Sequence, residues 1–358
     1  MTTLDGALRT IRPLDADAMA AAQDRLDHLT KPPGSLGRIE ELVVWLAGVT
    51  GTPAPAVERR RIVVAAGDHG VAMHQHVSAW PSEVTAQMVA TFLWGRAAIS
   101  TLAAAGDASI VVLDVGVASA IPPVAATAPN ARFVAARIRA GTDDFTRGPA
   151  MTRDEAHAAI GVGLAALDDA VADGIQLLGI GEMGIGNTTA ASAIVAAMSG
   201  REPRDVTGRG TGVDDAGWAR KVDVVTRGLA TNRTDPSDPI GVLAALGGFE
   251  IAALVGVVVG AAAHGVPLVL DGFITGAAAL VACALEPAIA PRLLAGHRSV
   301  EPGHAIVLNR LGLRPLLDLD MRLGEGTGAA LAMGLVSAAA AVRDGMATFD
   351  EAAVSDRL

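Results

Sequence analysis

The chain reads as an α/β protein: a three-layer α/β/α arrangement on a mostly parallel, Rossmann-like sheet, with a smaller helical unit beside it. Three observations predict this. Four short apolar runs, RIVVAAGDHG (61–70), SIVVLDVGV (109–117), IQLLGIGEMG (175–184) and VPLVLDGF (266–273), are continuous rather than alternating, as strands buried on both faces are. Stretches of helical length lie between them, at 83–105, 152–172, 188–198, 215–230 and 247–263; such alternation implies right-handed crossovers and a sheet covered on both sides. The two ends, residues 1–50 and 327–358, carry helical patterns without strands. The expected division is a large α/β domain over 59–320 and a small helical domain made of 1–58 with 321–358.

With 358 residues the chain can bury a large core. Half of it is hydrophobic, yet aromatics make up 3% and tyrosine is absent, so small side chains favour close helix–sheet packing. A formal charge of −10, with no basic run, argues against nucleic acid or an anionic membrane as partner. The single Cys283 allows no disulfide framework and reads as a small buried hydrophobe. The opening MTTLDGALRTIRPLDADAM lacks the apolar core of a signal peptide, which points to the cytoplasm. The longest apolar stretch, 251–263, is shorter than the roughly 20 residues a bilayer needs and reads as a buried helix. His74-Gln-His76 has no clustered third ligand, so a solvated loop is the expectation there and no metal is called for.

Each apolar run carries an acid at or just past its end: Asp68, Asp114, Glu182 and Asp271. In open parallel sheets ligands bind outside those ends, so these acids either ring one site or serve as turn formers and helix caps.

Three glycine loops add detail. In LLGIGEMGIGNTTAASAIVAAM (177–198) a strand runs into GIGEMGIGN, and Thr188 or Thr189 opens a helix; bare backbone N–H groups before a helix N-terminus suit a phosphate. Gly179-x-Gly181-x-x-Gly184 also matches the dinucleotide fingerprint, but no strand ending in an acid follows about 20 residues on, and no Gly-Lys-Ser/Thr closes a P-loop. A plain tight turn is the third reading. Of the 28 basic residues only Lys31, which opens KPPGSLGRIEEL, and Lys221, which follows the loop TGRGTG (207–212), are lysines. In an arginine-rich chain a retained lysine suggests a compact charge for a phosphate, with chance as the alternative. In MRLGEGTGAALAM (321–333) Glu325 stands between Gly324 and Gly326 just before a helix. It either favours the helix dipole or, with glycines letting its neighbours approach a ligand, does chemistry.

Taken together, KPPGSLGRIEEL, AAGDHGVA, VTAQM, LLGIGEMGIGNTTAAS, RKVDVV, LGGFEIAALVG, PLVLDGF and MRLGEGTGAALAM occur in an order that resembles the nicotinate-nucleotide–dimethylbenzimidazole phosphoribosyltransferase family, from about Leu4 to Met346. The resemblance implies a cofactor-free homodimer in cobalamin lower-ligand synthesis. It would convert nicotinate mononucleotide and 5,6-dimethylbenzimidazole to α-ribazole 5′-phosphate and nicotinate. The family's catalytic base falls on Glu325 and its second active-site glutamate on Glu182. Its phosphate and ribose contacts fall on Gly184, Ile185, Gly186 and Asn187, on Gly208 and Gly210, and on Lys221. Where some members place serine and glutamine along the base pocket, this chain has Trp80 and Met88, with Ser78 and Gln87 adjacent. Trp80, Gln87, Met88 and Leu323 are the expected base contacts, and the preferred base stays open. A carboxylate in a closed pocket fits the chemistry, because the azole must lose its N–H proton as its ring nitrogen attacks C1′. A second carboxylate can stabilise oxocarbenium character at that carbon. Two rivals are a nicotinamide-dependent oxidoreductase and a non-enzymatic nucleotide-binding module. A pyrophosphate-donor phosphoribosyltransferase is disfavoured because VVLDVGVAS lacks the paired-acid strand end.

Overall fold

Six strands form one parallel sheet in the computed structural model, which describes residues 2–355. They are β1 (Arg60–Gly67), β2 (Ala108–Gly116), β3 (Ala131–Ala135), β4 (Leu177–Met183), β5 (Leu268–Leu270) and β6 (Leu293–Ala295), in the order β3-β2-β1-β4-β5-β6. The chain winds outward from β1 to β3, returns, and winds the other way from β4 to β6. The reversal between β1 and β4 opens a crevice at their carboxyl ends, the place where such sheets hold ligands.

Both faces are covered, as the continuous apolar runs require. Val63, Ala65, Leu178 and Ile180 point into one cluster with the helices Arg153–Ala172, Asn187–Ser199, Phe249–His264 and Phe273–Leu285. Ile62, Val64, Ala66 and Val112 point into the other. Helices from the two chain ends, Ala16–His28, Arg38–Thr50 and Thr327–Gly345, belong to that second cluster and pack on one another. A bridge from Leu29 to Thr348 ties the ends together.

Two strands escape the apolar-run signal for physical reasons. β3 is a half-exposed edge strand, ARFVA, and β6 is a bare LLA between Arg292 and Gly296, without the flanking apolar residues that extend the run around β5. The stretch 83–105 is two helices, Glu83–Trp94 and Ala98–Ala105. Gly95 ends the first in a left-handed conformation (φ 80°), its N–H returning to the carbonyls of the last turn. The helix after the first glycine loop starts at Asn187, one residue before Thr188, with left-handed Gly186 as its cap. Thr152 and Glu155 cap Arg153–Ala172 reciprocally, which fixes its start at the expected place.

The tightest helix contact explains part of the small-residue composition. Where Arg153–Ala172 crosses Phe249–His264, a Cβ on Gly163 would overlap the carbonyl of Ala253, and one on Gly256 the carbonyl of Ile160. Gly163→Ala gains about 1 kcal/mol of helix propensity. The clash is with backbone, which cannot rotate away, so overpacking of about 1–3 kcal/mol or more outweighs that gain. Gly163→Ala is therefore expected to lower the denaturation midpoint, and an unchanged or higher midpoint would refute the close crossing.

Candidate active site

Loops at the carboxyl ends of β4, β5 and β6, with residues from 80–88 and 322–325, enclose a cavity of about 600 Å³. Of the four strand-end acids, Glu182 and Asp271 line it. Asp68 is fully buried outside the lining and accepts from the Ala118 N–H at 2.7 Å. Asp114 accepts from the Val117 N–H and from the Arg137 guanidinium, so it forms a turn rather than part of the cavity wall.

Glu325 reaches the cavity on an unusual backbone. Gly324, Glu325 and Gly326 are successively left-handed, with φ of 84°, 64° and 95°. For a glutamate that conformation costs roughly 1–2 kcal/mol. The Asp271 carboxylate fixes it: one oxygen accepts from the Gly326 N–H (3.0 Å), the other from those of Gly328 (2.7 Å) and Ala329 (3.2 Å). These are orphan donors of the first turn of Thr327–Gly345, so one acid caps the helix and sets the loop before it. A Cβ on Gly181 would overlap the Glu325–Gly326 peptide, and one on Gly324 would overlap the Glu182 carboxylate. The two loops fit because both positions are glycine.

The acids are buried together and hold protons tightly. Burial pushes Glu182 well above the ordinary carboxylate range, with Asp271, Glu250 and Glu325 adding repulsion against the Asn187 amide that donates to it. Burial also pushes Asp271 up to about 7, although three backbone N–H groups oppose it. Glu325, 6% exposed, is raised by burial, and its Oε2 is buried with no hydrogen-bond partner.

Gly184, Ile185, Gly186 and Asn187, together with Thr188, curve around a small recess that Lys221 and Arg209 also line. Lys221 is 1% exposed and donates to the Thr188 hydroxyl at 2.9 Å. Burial brings its pKa down to about 8, against the pull of Glu301. The N–H of Ile185 is already donated to Thr85, so that residue contributes shape rather than a free donor. Gly210 lines the main cavity and donates its N–H to Glu301 at 2.8 Å. Gly208 does not reach the recess: it faces a neighbouring hollow, and its missing Cβ makes room for the Glu301 carboxylate.

On the apolar side Trp80, Met88 and Leu323 line the cavity with Val84, Phe273 and Ile274. Gln87 does not; it is exposed on the outer side of its helix, one residue and about 100° of turn from Met88. Lys31 is remote from the cavity lining, pairing with Glu40 at 2.9 Å while Glu40 accepts the N–H groups of Gly34 and Leu36. His74 and His76 are exposed, and among the described residues no three metal-binding side chains cluster. Sequence reasoning missed His297, Ser299, Glu301 and Arg322, all of which line the cavity. The first three follow the unread strand β6; Arg322 was signalled only by its closeness to Glu325.

A doubly wound sheet with a glycine-loop recess and buried acids at its switch point is the architecture of a nucleotide-handling α/β enzyme. A family model described as phosphoribosyltransferase matches residues 11–354. The nicotinate-nucleotide–dimethylbenzimidazole phosphoribosyltransferases of Chloroflexus aggregans and of a Roseiflexus species are each 53% identical, over 100% of this chain and 99% of theirs. The crystal structure of CobT from Thermus thermophilus superposes with a TM-score of 0.89 at 48% identity, covering 95% of this chain and 100% of that one. The chain belongs to this phosphoribosyltransferase family.

The raised Glu182 gives a pH test. A carboxyl whose folded pKa lies above its unfolded value keeps its proton longer in the folded state. The stability this confers is lost as pH rises through the interval between the two values. Glu182→Gln removes the titration and keeps an acceptor for Asn187. Its melting temperature relative to wild type should climb as pH rises above the ordinary carboxylate range; a flat difference would mean that Glu182 is not buried in this way.

Proposed function

We propose that the chain transfers the phosphoribosyl group of nicotinate mononucleotide to 5,6-dimethylbenzimidazole or a related base, giving α-ribazole 5′-phosphate and nicotinate. The observation that carries this reading is the Glu325 carboxylate: buried, its Oε2 unpartnered, in a cavity with an apolar wall on one side and a lysine-bearing glycine recess on the other. The names of the close relatives support the same reaction.

The recess takes the 5′-phosphate, held by Lys221 and by the N-terminus of Asn187–Ser199. Trp80, Met88 and Leu323 take the flat face of the base. Glu325 then accepts the azole proton while the other ring nitrogen attacks C1′, and the electron pair of the breaking C1′–N bond returns to the nicotinate ring. Its raised pKa makes it a better base than an exposed glutamate. Attack from the face opposite nicotinate gives the α-linkage. Glu182 faces the same cavity, where the donor's pyridinium and the positive charge growing on C1′ favour its ionised form.

The same reading makes the protein a cytoplasmic homodimer that uses no cofactor and engages neither nucleic acid nor membrane; the net charge of −10 supports the last point. Segments 1–58 and 321–358 would form its small domain, supported by the mutual packing of the terminal helices.

Two substitutions test the roles. Glu325→Gln keeps size and removes the proton acceptor, so nicotinate release should fall by roughly 10²-fold or more with donor affinity nearly unchanged. Near-normal turnover would sink the mechanism. Lys221→Ala should raise the KM for nicotinate mononucleotide by about 10- to 100-fold, the range a charge-assisted contact supplies. The KM for the base should hold, and equal effects on both substrates would remove Lys221 from the phosphate site.

A further inference from the structure

Four carboxylates line the active-site cavity, Glu182, Asp271, Glu301 and Glu325, and among the described lining residues Arg322 is the one permanent cation. It forms no ion pair with any described residue; its hydrogen bond runs from Nη1 to the carbonyl of Gly210 at 3.3 Å. The guanidinium is therefore free of a carboxylate in a cavity that is otherwise acidic. Nearby cations are committed elsewhere. Lys221 and Arg209 face the recess rather than the main cavity, and Arg209 is paired with Asp215.

A nicotinate nucleotide brings two kinds of anion, a phosphate and a ring carboxylate. The recess suits the phosphate. The ring carboxylate must then enter a cavity with four acids, which is unfavourable unless a cation meets it. We propose that Arg322 binds the carboxylate of the nicotinate ring and so selects nicotinate over nicotinamide mononucleotide, an inference that rests on the proposed reaction.

Position agrees with this role. Arg322 lies three residues before Glu325 in the same loop, and its bond to Gly210 leans it against the glycine loop whose N–H is held by Glu301. It thus stands between the phosphate side of the cavity and the proposed base. A planar guanidinium can grip a carboxylate with two parallel hydrogen bonds. The ring carboxylate keeps its charge while the C1′–N bond breaks, so the contact is equally strong before and during reaction. Such uniform binding appears in KM rather than kcat.

The test compares nicotinate and nicotinamide mononucleotides as donors, at saturating dimethylbenzimidazole, for wild type, R322Q and R322K. Wild type should prefer the nicotinate donor. R322Q keeps an N–H for the Gly210 carbonyl but loses the charge. It should raise the KM for the nicotinate donor by about 10- to 100-fold and leave kcat and the KM for the nicotinamide donor nearly unchanged. R322K should keep part of the preference. Equal losses with both donors, or a preference that survives R322Q, would overturn the proposal. Calorimetric titration of free nicotinate and nicotinamide into wild type and R322Q reads the same contact without turnover. A wild type that selects nicotinate but releases none from the donor would refute the transfer reaction and leave the assignment of Arg322 standing.

Discussion

The site depends first on the carboxylate of Asp271. It ends β5 and takes three backbone N–H groups from the start of Thr327–Gly345, so a strand end and a helix end are joined through one side chain. The loop it holds is left-handed at three successive residues, one of them a glutamate. Nothing in that backbone is favourable by itself. The cap offsets its cost: each charge-assisted bond contributes about 1.5–3 kcal/mol, against roughly 1–2 kcal/mol for the strained glutamate. Burial nonetheless prevails over the three donors in setting its pKa, which rises to about 7. The acid that fixes the loop is thus close to protonation near neutrality.

The glycines are explained by what they admit. Gly181 lets the Glu325 peptide lie against β4, Gly324 lets the Glu182 carboxylate approach, and Gly328 makes room for His297. Gly184 similarly clears the carbonyl of Gly67. Gly179-x-Gly181-x-x-Gly184 therefore looks like a dinucleotide fingerprint for an unrelated reason. Its middle glycine is covered by the protein's own Glu325 loop, which leaves no space there for a pyrophosphate.

Much of this was legible in the chain. Continuous apolar runs marked four strands because burial on both faces removes polar positions, and strand-end acids marked Glu182 and Asp271 because the sheet brings its carboxyl ends together. Less local facts were not legible. β3 lies at an exposed edge, and β6 is an LLA bounded by Arg292 and Gly296 with no longer apolar run around it, so the segment carrying Ser299 and Glu301 had no anchor in the sequence. Gln87 and Met88 were both expected at the base, and which of them lines the cavity depends on the rotation of one helix, which periodicity fixes no better than a residue. The two lysines looked alike as rare residues, yet one closes a turn through Glu40 and the other lines the recess. Their tertiary surroundings, invisible to composition, separate them.

The distribution of charge ties the parts into one mechanism. A cavity walled by acids in a protein of net charge −10 is a poor host for an anionic nucleotide. The proposed mode of binding resolves this by dividing the ligand's charges in space. In the proposed reaction the phosphate would be met at the recess by a lysine and a helix N-terminus. In that reaction the cationic pyridinium and the electron-poor C1′ would lie among the carboxylates, where they would lower the cost of ionising Glu182 and Glu325. As nicotinate leaves, its ring nitrogen would become neutral, and Glu325, as the proposed base, would become neutral by taking the azole proton. Both acids have raised pKa values in the ligand-free protein, so positive charge beside them would favour their ionised forms.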